Sequence, residues 1–141
     1  MGTISENFSY SEFEASDVAA VMGIVNEITS EQVRSAVRAL VVNVLQPLRD
    51  RCGTPLKINS GFRCPELNTA VGGAPASQHL IGEAADIAFP EPYRLALMVL
   101  ELGLPFDQMI LYPSFLHISH KKTGVQRRQV LYSRTYGGLK L

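Results

Sequence analysis

The sequence predicts an α+β fold in which a small antiparallel sheet packs against helices. A seven-residue apolar stripe at helical period runs through residues 31–50. Four short alternating or apolar runs, at 56–59, 84–89, 107–112 and 115–119, read as strands. These runs are mixed with helices and lie close together, which suits antiparallel pairing. A length of 141 residues fits one domain, 1–141.

The elements follow in order. Ser9 and Glu12 have capping-box spacing, so a helix is expected to start near Tyr10 and stop by Gly23. Thr29 and Gln32 repeat that spacing ahead of the longest helix, residues 31–50. Its stripe is Val33, Val37, Leu40, Val41, Val44, Leu45 and Leu48. Burying these side chains at about 1.5–3 kcal/mol each makes it the backbone of the core. Pro47 should kink it or end its regular part. Leu56–Asn59 reads as a strand after the Gly53–Pro55 turn. Pro65 opens a short helix, Glu66–Val71, at the favoured first position. Ala84–Phe89 is a strand and Glu91–Leu102 a helix ended by Gly103 and Pro105. Asp107–Tyr112 and Phe115–Ser119 are joined through Pro113-Ser114, and Gln129–Ser133 is a last strand.

Composition narrows the function. Hydrophobic residues make up 46% and charged residues 18%, which excludes a disordered or collagen-like chain. No apolar run reaches about 18 residues, so no membrane span is expected. The stretch MGTISENFSYSEFE has neither a basic nor an apolar signal region, and Glu6 stands where myristoylation wants Ser or Thr. Synthesis in the cytoplasm is therefore expected. Cys52 and Cys64 are too few for a four-cysteine zinc site and are expected as reduced thiols. The formal net charge is zero, which argues against nucleic acid as a partner. Residues 1–31 hold six acids and no Lys or Arg, whereas residues 108–141 hold six bases and no acid. Either the two ends lie together and offset each other, or the basic end attracts an anionic surface such as a wall polymer.

The chemistry concentrates in Ser60-Gly61-Phe62-Arg63, Ser77-Gln78-His79-Leu80-Ile81-Gly82-Glu83-Ala84-Ala85-Asp86 and Leu116-His117-Ile118-Ser119. A His, an Asp seven residues on and a distant His form a three-ligand N/O set with an open position, the arrangement of a catalytic zinc. The same residues admit a plain structural reading: His117 packed in a strand, Asp86 as a cap, Arg63 in a surface ion pair.

The pattern Ser77-x-His79-x-x-Gly82-x-Ala84-x-Asp86 resembles the signature of the zinc D-alanyl-D-alanine carboxypeptidase family. Ser60–Asn68, Val71-Gly72-Gly73, Phe106–Ile110 and Leu116–Ser119 resemble its phage-endolysin-like branch, so the likeness spans residues 8–119. The resemblance implies the Hedgehog/DD-peptidase fold, with Zn²⁺ as cofactor and His79, Asp86 and His117 as its ligands. It implies that Arg63 binds a carboxylate or carbonyl of a peptidoglycan stem peptide and that Ser77 hydrogen-bonds the substrate near the metal. The implied reaction is metal-assisted hydrolysis of stem or cross-link peptides.

The chain departs from that pattern at the carboxylate that takes the proton. Ser114 and Leu111 stand where family members carry an acid. Glu83 and Asp107 are the candidates to replace it, with His120 ranked below them. Two alternatives stand beside the peptidase: a zinc-bearing inactive module that binds cell-wall peptide, and a metal-free scaffold. A wall target would be reached after lysis, through a holin or in a particle.

Overall fold

The helical stripe forms the spine of the molecule, in three pieces. The computed structural model describes residues 2–141. Helix α3 is Glu31–Leu40, a π turn follows at Val41–Leu45, and α4 is Gln46–Cys52. (Two short strands and two short helices precede it.) Ser30, one residue past the expected Thr29, caps α3 by accepting from the Val33 N–H at 3.4 Å. The departure from regularity lies ahead of Pro47. The Gln46 N–H reaches five residues back to the Val41 carbonyl. Pro47 has no N–H to give, and its ring would crowd the carbonyl four residues earlier. The wider turn absorbs both problems, and the helix continues to Cys52. Val37, Leu40, Val41, Val44, Leu45 and Leu48 are fully buried, whereas Val33 is partly covered.

The amino-terminal segment differs from expectation. A hairpin of β1, Thr3–Ser5, and β2, Phe8–Ser9, comes first. The single helix expected from Tyr10 to Gly23 is two: α1, Tyr10–Glu14, and α2, Asp17–Met22. The Ser9–Glu12 capping box forms as read. Ser16 then breaks the run, because its hydroxyl accepts from the Ala19 N–H at 3.1 Å and starts a new helix.

Five strands make the main sheet: β3, Lys57–Ser60; β4, Ala84–Ala88; β5, Gln108–Leu111; β6, Phe115–Ser119; and β7, Gln129–Tyr132. Their order is β3-β4-β6-β5-β7. The first four pair antiparallel, as expected, and β7 joins the edge parallel to β5. That last direction arises because the chain after β6 returns to the start of β5, where the Gln129 N–H donates to the Asp107 carbonyl at 3.0 Å. Helix α5, Pro65–Ala70, has its proline in the first turn, and α6 is Pro92–Glu101. The spine and α6 cover one face of the sheet, where Ile87, Leu95, Val99, Met109, Leu116 and Ile118 join the same core. Both cysteines are free thiols.

No ion pair among the described residues joins the acidic residues 1–31 to the basic residues 108–141. Three of the six basic side chains are met locally. Arg127 pairs with Asp107, Arg128 lies over the Phe106 ring, and Lys140 lies over that of Tyr132.

Candidate metal centre

The sheet delivers two of the three expected ligands directly. Asp86 on β4 and His117 on β6 are cross-strand partners, so their side chains share one face. His117 Nδ1 lies 2.9 Å from Asp86 Oδ1. His79 arrives from a 3-10 turn, Gln78–Ile81. Ser77 starts this turn by accepting from the His79 N–H at 3.1 Å. Gly82 ends it at φ 78°, and a Cβ there would lie 2.7 Å from the Val33 carbonyl oxygen. Only glycine meets both conditions.

His79 is 2% exposed. Its Nδ1 lies 2.6 Å from the Gly61 carbonyl oxygen. A carbonyl can only accept, so Nδ1 carries a proton, and in the neutral ring the lone pair is then on Nε2. That Nε2 is buried without a hydrogen-bond partner, 3.3 Å from the same Asp86 Oδ1. Burial pushes the Asp86 carboxyl up, but the adjoining imidazoles of His117 and His79 outweigh it and hold it well below the usual carboxylate range. One ligand atom from each of the three residues falls within 4.8 Å of the others. An orphaned buried nitrogen, a second imidazole and an ionised carboxylate around one point are the donors of a borderline divalent cation. The carbonyl on His79 Nδ1 is the kind of partner that fixes a ligating ring.

The centre lies in an open cleft of about 500 Å³. Arg63, Ser77, Gln108, Tyr112, Phe115 and Arg127 line it beside the three ligands. Tyr112 and Phe115 stack, with centroids 4.3 Å apart. The Ser77 hydroxyl accepts from His79 and keeps its own hydrogen to donate. Arg63 is engaged at every nitrogen. Nε donates to Ser60 Oγ and NH1 to Asn68 Oδ1, both at 3.1 Å, and NH2 ion-pairs with Asp86 Oδ2 at 3.5 Å.

Neither candidate base lines the cleft. The Glu83 carboxylate accepts from Gln78 Nε2 at 3.2 Å and from the Lys122 N–H at 3.1 Å. Asp107 is wholly buried and accepts from Arg127 and Gln78. His120 is buried, with Nδ1 2.6 Å from the Pro105 carbonyl. Leu111 is buried and Ser114 exposed. Among the described residues lining the cleft, Asp86 is the only carboxylate. Sequence reasoning placed Gly61, Asn68 and Gln78 inside its motifs without giving them a role, and it counted Arg127 only among the bases of the carboxy-terminal end. The first acts through its backbone, which no residue type announces, and the others are amides and a cation of ordinary surface type.

This geometry meets the comparisons with known proteins. A peptidase M15 family profile matches residues 6–119. An 83-residue stretch, 57% of the chain, is 36% identical to a zinc D-Ala-D-Ala carboxypeptidase of Streptomyces albus G. That stretch spans 31% of the relative, so the chain answers to under a third of its length. The matched span contains every strand and turn that carries His79, Asp86 and His117, and the chain belongs to the peptidase M15 family.

Proposed function

We propose that residues 1–141 form one zinc-dependent peptidase domain that hydrolyses peptidoglycan stem or cross-link peptides. The carrying observation is the buried His79 Nε2, which has no hydrogen-bond partner and lies 3.3 Å from Asp86 Oδ1, the oxygen that His117 also approaches. His79, Asp86 and His117 would hold the zinc, which when bound would supply Lewis acidity toward the scissile carbonyl and a more acidic water. The chain's own groups position the peptide. Ser77 donates its hydroxyl hydrogen to the substrate, and Arg63 offers its remaining N–H groups to a carbonyl or carboxylate. The stacked Tyr112 and Phe115 present an apolar wall. No helix among the described residues is long and apolar enough to cross a membrane.

The lack of a free carboxylate in the cleft sets the expected rate. A positioned general base contributes roughly 10²–10⁴-fold, so turnover is slow by that order relative to a site that has one. The same feature favours a second reading, a zinc-bearing module that binds wall peptide without cutting it. Zinc-loaded protein incubated with peptidoglycan decides between them. Release of amino groups above a His79→Ala control supports the peptidase. No release, with retained zinc and peptide binding, supports the module.

A further inference from the structure

We propose that Arg127 is a specificity residue of the cleft, binding a substrate carboxylate distinct from the group Arg63 contacts, and that Asp107 and Gln78 are its positioning residues. The ligand class is an acidic peptide. The proposal deepens the peptidase reading by naming a substrate class, and it rests on that reading for the identity of the cleft.

Arg127 lies between β6 and β7, beyond the residues that match the family. Its guanidinium is held from one side. Nε lies 3.2 and 3.1 Å from the two Asp107 oxygens, and NH2 lies 2.7 Å from Oδ2. NH2 also donates to Gln78 Oε1 at 3.4 Å. The Arg127 backbone N–H donates to Asp107 Oδ1 at 2.7 Å. NH1 has no hydrogen-bond partner among the described residues, and the side chain is 49% exposed on the cleft wall.

An ordinary surface ion pair is mobile and worth little. This one is anchored on a carboxylate with no solvent exposure, so the side-chain entropy of ordering Arg127 is already spent in the free protein. Gln78 ties it to the turn that carries His79, because its Nε2 also donates to Asp107 at 3.1 Å. The next residue, Arg128, is the one described non-glycine residue at positive φ, 56°. Such a backbone is unfavourable for a residue that carries a Cβ. Arg128 is pinned there by its bond to the Leu104 carbonyl at 2.9 Å and by the Phe106 ring at 4.9 Å. The strained turn sends consecutive arginines to different places, one to the core edge and one to the cleft. Of the two cations in the cleft, Arg63 has every nitrogen engaged, whereas Arg127 presents an unengaged one. A fixed guanidinium with a free edge suits a carboxylate.

The test uses the zinc-loaded full chain and three peptides of one sequence. The first carries an acidic side chain and an amidated C-terminus. The second carries the amide side chain and a free C-terminus. The third is neutral at both. Binding is read by calorimetry, independently of cleavage. The wild type is expected to favour one carboxylate peptide over the neutral one by about tenfold, as a charge-assisted hydrogen bond allows. Whichever peptide is favoured identifies the carboxylate. Arg127→Gln should collapse that ratio toward one. The double variant Asp107→Asn/Arg127→Gln leaves no unpaired buried charge and should collapse it equally, which covers misfolding of the single variant. Equal binding of all three peptides by the wild type, no binding of any, or an unchanged ratio in both variants overturns the proposal. Preferential binding without cleavage of any peptide overturns the peptidase reading and leaves this one standing.

Discussion

Asp86, within β4, and Asp107, just before β5, are both buried aspartates some twenty residues apart, and their surroundings are opposite in kind. Asp107 has a complete set of partners. Four N–H donors converge on it, from the Arg127 backbone, the Arg127 guanidinium and Gln78. Asp86 faces two imidazoles and a guanidinium, and one of those imidazoles still has an unmet buried nitrogen. Burying a polar atom unpaired costs free energy. A fold that keeps such an atom beside an ionised carboxylate is shaped for a cation, whereas a fold that satisfies every lone pair is shaped for rigidity.

The contrast breaks most visibly at the metal. His79→Ala removes the orphaned nitrogen, and zinc content by elemental analysis should fall from about one per chain to near none, with loss of any turnover. Retention of zinc in that variant would place the metal elsewhere. At the other aspartate the effect should be on stability. Asp107→Ala leaves the Arg127 N–H and Gln78 without an acceptor and should cost about 1–3 kcal/mol in denaturant unfolding, with zinc content kept. An unchanged midpoint would show that Asp107 is not a structural anchor.

The acid limb sharpens the comparison. Burial pushes the Asp107 carboxyl up, but hydrogen bonds and charge from Arg127, together with Gln78, outweigh it and lower its pKa. A lowered folded pKa stabilises above the unfolded value of about 3.9, and that stability is lost as pH falls through the folded value. Asp107→Asn should therefore flatten the fall in stability below about pH 4. A parallel curve in the variant would remove Asp107 from acid unfolding. The smallest effect is expected at Glu83. Its carboxylate lies off the cleft, so Glu83→Gln should change kcat by less than about tenfold, against the roughly 10²–10⁴-fold of a lost general base. A drop of the larger size would make Glu83 the base.

The sequence was most legible where side-chain pattern governs. The Val37–Leu48 stripe and the Ser9–Glu12 box lie where their spacing put them, and His79, Asp86 and His117 converge as the ligand pattern requires. It was least legible where the backbone governs. The break at Ser16 depends on a local competition between helix and cap. The π turn spreads the demands of Pro47 over the preceding residues. The parallel direction of β7 depends on the path of the loop before it. Glu83 and Asp107 were candidates for the base on residue type and motif position, and where their carboxylates point is set by N–H donors as distant as Lys122 and Arg127.

Gly61 gives the amino-terminal segment an unexpected weight. A Cβ there would lie 2.7 Å from the Phe13 Cα, and the next residue, Phe62, donates its N–H to the Phe13 carbonyl at 2.8 Å. Asn26 clamps the same place by donating to the Glu14 and Phe62 carbonyls. The carbonyl that orients His79 is therefore braced by residues nearly fifty positions earlier. Trimming or re-engineering that early stretch would be felt as a tilt of one imidazole, so a shortened version of the chain could keep its sheet and still grip its ion poorly.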